Sequence, residues 1–435
     1  MTGKEGKEMR INADADENMK GGAAEIRMEA APGARREADH VLRQAVEIWK
    51  TPFYLFRTDV LSQQMKRIRD AVGERAEICY AMKANPFLVS ALAEEVDSFE
   101  VCSPGEFHIC ERAGIPMEKI VMSGVYKKES DIDYAVKTYG DQGVYTAESP
   151  SQWELLRRCA ERYGSRLRVL LRLSVGSQFG MDREALKGIV AHREQAGCLH
   201  IEGIQLFAGT QKKAAGKFKR ELAMLSELCG ELEDEYGFEA ERVEYGPGLP
   251  VGYFEEEEDP GERLLHSLAE QLREFPFRGK IVLEMGRFIA ASCGSYVTEI
   301  VDVKTNQGQN YCIADGGIHH VNYYGQMMAM KKPPIIHLRA EPEAAAEDQD
   351  GELWTVCGSL CTMNDVLVKN YPLRGLKEGD KLVFERTGAY SVTEGISLFL
   401  SRPLPQVILY SELKGFRVAR GNLPTDGLNW FQSFG

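Results

Sequence analysis

The sequence predicts an α/β protein with two parts: a closed, TIM-like (β/α)8 barrel, and a C-terminal antiparallel β-barrel or sandwich domain completed by N-terminal elements. Three observations carry this. From Glu77 to Met285 a short apolar strand and a helix of ten to twenty residues alternate eight times, which implies parallel pairing and fits barrel closure. Polar residues and glycines gather at the C-terminal ends of those strands, where a barrel builds its site: Lys83, Ser103, Ser123, Glu148, Arg172, Gly209 with Thr210, Gly246 with Gly248, and Glu284 with Arg287. After Arg287 strands follow one another without intervening helices. A doubly wound sheet is the competing fold, but no strand is followed by GxGxxG.

The elements follow in order. Residues 1–37 mix both charge signs with Gly and Ala and show no apolar period, so a disordered tail without function is expected. Residues 38–56 are assigned to the β domain. Val41, Leu42, Ala45, Val46 and Trp49 share one helical face, and Pro52 to Phe56 reads as a strand. Thr58 is expected to cap a helix reaching about Val72. The barrel is assigned 57–290, with strands Glu77–Lys83, Ser98–Ser103, Lys119–Gly124, Gly143–Glu148, Arg166–Leu173, His200–Phe207, Arg242–Gly246 and Lys280–Met285. The β domain, 291–435, is expected to hold strands at Gly294–Val303, Tyr311–Asp315, Pro334–Leu338, Trp354–Cys357, Lys381–Phe384 and near Arg417. The acidic runs Ala340–Glu352 and Glu255–Asp259 read as solvated loops.

A net charge of -13 over 435 residues, with a pI near 5.3, argues against nucleic acid or an anionic membrane as the main partner and favours a small molecule. No run reaches membrane-span length and the N-terminus lacks a secretory apolar core, so a cytoplasmic location is expected. The ten cysteines are scattered and form no CxxC pair, which predicts reduced thiols. Cys357-x3-Cys361 has no second ligand pair, so no metal site is expected.

Lys83 closes the apolar run Ile78 to Met82. A lysine there either snorkels to water or has a chemical use: desolvation lowers an amine's pKa, and the free amine can hold an aldehyde cofactor as a Schiff base. Tyr245-Gly246-Pro247-Gly248-Leu249 after the seventh strand and Arg287 after the eighth stand where barrels commonly bind phosphate, although Gly-Pro-Gly is also an ordinary tight turn. A lysine and a phosphate site across one barrel mouth suggest pyridoxal 5'-phosphate. Glu284 is then placed to keep a pyridine nitrogen protonated.

The motifs YAMKAN (80–85), FEVCSPGE (99–106), GTQ (209–211), YGPGL (245–249), EMGR (284–287), ADGG (314–317), GSLCTMND (358–365) and TGAY (387–390) stand in the order found in the ornithine/diaminopimelate decarboxylase family of fold-type III pyridoxal-phosphate enzymes, which the chain resembles over roughly 45–420. The resemblance implies a cofactor held through Lys83, Glu284 on the ring nitrogen, and Gly246, Gly248, Arg287, Thr210 and Tyr390 near the phosphate. Glu106 and Arg172 match further cofactor-site positions. It also implies a homodimer with shared active sites, in which Cys361 of one protomer protonates Cα in the other after carbon dioxide leaves; by itself Cys361 reads as a small buried hydrophobe. Asp315 matches a substrate position and is equally plain Asp-Gly-Gly turn chemistry.

Three positions depart from the family. Phe207 stands where a histidine usually stacks on the ring, Glu100 where an aspartate is usual, and Thr362 where a carboxylate meets the substrate's distal ammonium. Losing that charged hydrogen bond costs about 1.5 to 3 kcal/mol. A smaller branch shares these substitutions, the decarboxylases that act on glutamate carried by an acyl carrier protein in butirosin biosynthesis; TPFYLF (51–56), SQFGMD (177–182), SYVTEI (295–300), DGGIHH (315–320) and LCTMND carry the likeness. His319, His320, Tyr323 and Tyr324 are then candidates for the substrate entrance, with core or surface roles as the alternative. The reading is an amino-acid α-decarboxylase, with a carrier-bound aminoacyl group as a possible substrate. Its rivals are a genuine meso-diaminopimelate decarboxylase of lysine biosynthesis and a catalytically silent cofactor-binding homologue. A racemase fits less well, because alanine racemases of this fold type keep an arginine at the ring nitrogen.

Overall fold

The computed structural model describes residues 32–323, 328–340 and 351–430. Residues 1–31, most of the acidic run and Tyr324 lie outside them. The helix Pro32–Ile48 belongs to a unit of its own. It starts before residue 38 and stops short of Trp49, whose ring instead packs edge-on against Phe416 at 5.0 Å.

Within the second unit, β1 (Phe53–Arg57) leads into the helix Thr58–Val72. Thr58 does not cap this helix: Arg57 holds the cap position, and the Thr58 hydroxyl donates to the Tyr410 carbonyl at 3.1 Å. The barrel follows as β2 (Glu77–Ala81), β3 (Ser98–Val101), β4 (Ile120–Met122), β5 (Val144–Ala147), β6 (Leu167–Leu173), β7 (Leu199–Phe207), β8 (Arg242–Gly246) and β9 (Lys280–Met285). All are parallel, in sequence order, and β9 closes onto β2 with Glu77 opposite Val282.

The period of two along these strands sorts their side chains. Ile78, Tyr80, Phe99, Val169, Leu171, Tyr245 and Leu283 join the main core with the surrounding helices. The alternate positions Cys79, Val121, Val144, Leu170 and Val282 form a separate apolar cluster. Arg172 and Glu284 come two residues beyond Leu170 and Val282, and Glu100 stands in register with Val121 of the next strand, so strand geometry sets charged groups beside an apolar floor at the barrel mouth. Two helices begin Ser-Pro directly after a strand: Ser103 accepts from Glu106 N and Ser149 from Gln152 N, each at 3.2 Å.

The β domain is a nine-stranded sheet built from β1, β10 (Gly294–Asn306), β11 (Gln309–Ala314), β12 (Ile335–Leu338), β13 (Glu352–Cys357), β14 (Val366–Leu373), β15 (Lys381–Glu385), β16 (Gln406–Ser411) and β17 (Gly415–Arg420). It is antiparallel except where β1 runs parallel to β16 and β11 parallel to β13. Parallel neighbours need a long connection, and for β1 and β16 the whole barrel lies between them in sequence. β14 and β16 were not expected from the sequence. In β14 the exposed Lys369-Asn370 pair, with Asn370 at φ 50, breaks the apolar run of an edge strand.

Candidate active site

Lys83 lies in a single 3-10 turn, Met82–Ala84, directly after β2. The turn is clamped to the β domain. Tyr390 N donates to the Ala84 carbonyl at 2.6 Å, Asn85 Nδ2 donates to Gly388 O at 2.8 Å, and Tyr80 OH reaches back to Asn85 O at 3.1 Å. Two sequence motifs some three hundred residues apart thereby become one wall. Around Lys83 Nζ stand the Glu100 carboxylate, hydrogen-bonded to it, Glu284 Oε1 at 3.4 Å and Cys102 Sγ at 3.7 Å.

Burial alone would lower the Lys83 pKa, as the sequence reading expects; Glu100 and Glu284 outweigh burial and hold it well above its ordinary value. With these partners Lys83 is an ammonium. Burial would raise Glu100, but the Lys83 charge and hydrogen bonds from Lys83, Cys102 and Glu284 keep it low. Glu284 moves the other way: burial and then the Glu100 charge push it up, only partly offset by Lys83. The two acids therefore divide their roles, Glu100 as the carboxylate and Glu284 as the proton holder. Arg172 Nη1 pairs with Glu148 Oε1 at 3.0 Å, both buried, and its guanidinium lies 5.0 Å from the Phe179 ring centroid. Glu106 accepts from Cys102 N at 2.6 Å, which fixes the turn beside Lys83.

The opposite rim is made of glycine and aromatic rings. The Phe207 ring packs over Gly246 so closely that a Cβ there would run into Phe207 Cδ2. Gly248 takes φ +62, and its missing Cβ leaves room for the Gly209 carbonyl. The loops after β7 and β8 are stitched together: Gln211 Nε2 donates to Val251 O at 2.9 Å, and Val251 N donates to Gln211 Oε1 at 2.8 Å. Thr210 is exposed beside them. Arg287 Nη1 donates to Tyr253 OH at 2.8 Å, with its guanidinium 4.4 Å from the Tyr390 ring centroid.

Residues 58–291, more than half of the chain, match the family described as pyridoxal-dependent decarboxylase, pyridoxal binding domain. The chain belongs to the pyridoxal-dependent decarboxylases. It is 27% identical over 387 residues, 83% of this chain and 89% of the relative, to the L-glutamyl-[BtrI acyl-carrier protein] decarboxylase of Niallia circulans. It is 26% identical over 367 residues, 80% and 84% of the two chains, to the diaminopimelate decarboxylase of Aquifex aeolicus. The solved diaminopimelate decarboxylase from Helicobacter pylori complexed with L-lysine shares the fold, with a TM-score of 0.77 at 23% identity, covering 89% of this chain and 98% of that one.

This pyridoxal-dependent decarboxylase has a donor set that fits the cofactor: an amine between two buried carboxylates, a proton-holding acid, an aromatic face at a strand end, and backbone-exposing glycines beside an arginine. Among the described residues no cluster of His, Cys, Asp and Glu could hold a metal, and no helix is long and apolar enough to cross a membrane.

The remaining sequence candidates lie in the β domain. Cys361 is exposed on the loop between β13 and β14, with Thr362 beside it. Asp365 builds that loop, accepting from Ile318 N at 2.9 Å and from Leu360 N at 2.7 Å, and Gly317 and Gly358 leave the space its carboxylate fills. Asp315 is committed to the fold: Thr298 Oγ1 and Thr51 Oγ1 each donate to it at 2.6 Å, and Glu299 N at 3.0 Å. These bonds tie its carboxylate to β10 and to the segment before β1 rather than to its own Asp-Gly-Gly turn. His319 is buried, its ring centroid 3.7 Å from that of His320 and tilted by 42° to it, with no hydrogen-bond partner on either ring nitrogen among the described residues. Burial, then His320 and Arg402, lower its pKa to about 3.

Sequence reasoning gave no role to Glu100, Asp365 or Lys127. Glu100 was visible only as a departure from a family pattern. Lys127 Nζ is buried on Gly124 O at 2.8 Å, Gln152 Oε1 at 3.2 Å and Thr146 Oγ1 at 3.3 Å, and burial lowers it to about 8; its sequence context, Tyr-Lys-Lys-Glu, reads as a solvated turn.

Proposed function

We propose that this amino-acid decarboxylase acts on a substrate whose far end is uncharged, an aminoacyl group carried as a thioester by a carrier protein. The observation that carries this is the loop of Cys361. Its one carboxylate, Asp365, is buried and taken up by two backbone N–H groups, so the loop offers nothing to a distal ammonium. The carrier-protein decarboxylase from Niallia circulans is a relative over most of the chain, which supports the same reading.

Pyridoxal phosphate, when bound, supplies the electron sink for the bond between Cα and the departing carboxylate. Lys83 would hold the cofactor through its amine. Glu100, hydrogen-bonded to the Lys83 ammonium, would hold and orient that amine at the barrel mouth. Glu284, which holds a proton in the cofactor-free protein, would share that proton with the ring nitrogen when the cofactor is bound. Phe207 would lie against the ring, and Gly246, Gly248, Thr210, Arg287 and Tyr390 would hold the phosphate. Arg172 and Glu106 orient this shell. Cys361 of the partner subunit returns a proton to Cα, with Thr362 beside the substrate. A homodimer is supported by the exposed apolar side chains Leu398 and Phe399 on the segment after Tyr390. Its ten unpaired cysteines support a reducing, cytoplasmic setting.

Diaminopimelate is the second reading. The exposed Glu394, four residues past Tyr390, is a carboxylate that a distal ammonium could use. Carbon dioxide release from meso-diaminopimelate, ornithine, lysine, arginine, free glutamate and glutamyl carrier protein, measured side by side, decides. Turnover of the carrier-bound substrate with silence on the free diamines is expected; rapid turnover of diaminopimelate would overturn the proposal.

A further inference from the structure

Beside the Cys361 loop lies a cleft of about 390 Å³, within the size range of small-molecule sites. Its walls come from two functional segments. Met363 stands two residues beyond Cys361, and Glu394 and Ile396 follow Tyr390, whose carbonyl accepts from Glu394 N at 3.0 Å. Between them sits Asn322, anchored to the second segment by a 2.6 Å bond from Ser391 Oγ to its carbonyl.

Asn322 is 5% exposed, lines the cleft, and its side-chain Oδ1 has no hydrogen-bond partner among the described residues. A buried amide oxygen without a donor is costly and calls for an N–H from outside the chain. The rest of the lining matches a long, flexible, mainly uncharged ligand. Met330 and Met363 are 79% and 95% exposed and adaptable, Ile396 adds a branched apolar face, and Lys369 stands at the lip as a point charge suited to a phosphate.

We propose that this cleft binds the phosphopantetheine arm through which a carrier protein presents its aminoacyl thioester. Asn322 Oδ1 accepts an amide N–H of the arm, Met330, Met363 and Ile396 cover its methyl and methylene groups, and Lys369 meets its phosphate. The inference rests on the carrier-bound reading above and adds a site that the cofactor shell does not contain.

The test uses cofactor-loaded enzyme and free pantetheine as the probe, with binding followed by titration calorimetry in wild type, Asn322→Leu and Met330→Glu. The second variant changes only an exposed lip residue and guards against misfolding of the first. Pantetheine affinity is expected to fall about tenfold in each, the loss of one well-made polar contact or the burial of a charge against an apolar arm. With the glutamyl thioester of pantetheine as substrate, KM should rise by a similar factor while kcat stays within about twofold, the signature of lost ground-state binding. Turnover of the thioester with unchanged KM in both variants would overturn the cleft and leave the carrier reading standing. Rapid turnover of diaminopimelate, with no binding of pantetheine, would overturn both. Propionamide, which has no α-amino group to enter the Lys83 site, separates the two sources of an amide: if it binds as tightly as pantetheine, the cleft reads a free amide and the arm is excluded.

Discussion

Lys83, Glu100 and Glu284 share a small volume at the barrel mouth, and their charges cannot be assigned one at a time. An ammonium beside two carboxylates leaves one negative charge in excess on an apolar floor, and the structure resolves this by letting Glu284 hold a proton more readily than an ordinary carboxyl. A stability consequence follows for the cofactor-free protein. Glu284 is raised from an ordinary value of 4.5 to about 8, so between those values the folded state keeps a proton that the unfolded state has lost. The unfolded chain then binds fewer protons, and stability falls as pH rises through that window. The melting temperature of wild type should drop by several degrees, on the order of 5, between pH 5 and pH 8, and Glu284→Gln should flatten the drop; an equally steep profile in the variant would remove Glu284 as the cause. His319 and His320 act in the opposite sense lower down. Their folded values of about 3 and 4 lie below the ordinary 6.5, so the stability they contribute is whole above 6.5 and lost as pH falls. His319→Leu should therefore soften the acid limb of the same melting profile while leaving the alkaline limb alone.

Two loops show how an element holds a side chain in place. At the glycine-rich rim, Gly248 combines positive φ with a carbonyl where its Cβ would be, whereas at Gly246 the obstacle is only the edge of the Phe207 ring, which can shift. Gly248→Ala should cost about 1 to 3 kcal/mol in denaturant unfolding and more than Gly246→Ala, while Gly246→Ala should instead disturb the cofactor's absorbance through the displaced ring. On the Cys361 loop, removal of the Asp365 carboxylate strips Ile318 N and Leu360 N of their acceptor. Asp365→Ala should retain its cofactor but lose most of its carbon dioxide release, and full activity would mean the loop is held by other means. The glycine positions could be read only together with Arg287 on the neighbouring strand, because Gly-Pro-Gly by itself is also an ordinary tight turn. The role of Asp365 could not be read, because an aspartate closing a polar loop looks solvated until the structure shows two backbone donors converging on it. Asp315 carried the converse difficulty, since one residue type serves turn and substrate alike.

At the scale of the whole molecule, the barrel could be read from the strand–helix rhythm, since every βα unit repeats the same local pattern and parallel order then follows the chain. The β domain was harder, because its neighbours are remote in sequence: β1 pairs with β10 and β16, and no local signal joins Phe53 to Val297 or to Gln406. The single chain leaves its proton-donor candidate exposed. Lys83 is clamped inside the barrel mouth, while Cys361 stands on an exposed loop of the β domain ringed by apolar side chains. A homodimer in which each loop enters the other protomer's barrel would cover the apolar ring and complete the site at once. That arrangement can be tested by mixing. Lys83→Ala and Cys361→Ala should each be nearly inactive alone. If the subunits exchange, half of the re-formed dimers carry one of each, and in those dimers one of the two sites has both wild-type residues, so about a quarter of wild-type activity should return. Recovery that grows with incubation under exchange conditions and disappears when the dimers are cross-linked beforehand would establish shared sites. If the mixture stays inactive although mass analysis shows mixed dimers, Lys83 and Cys361 must serve within one chain, and the loop would have to fold back onto its own barrel.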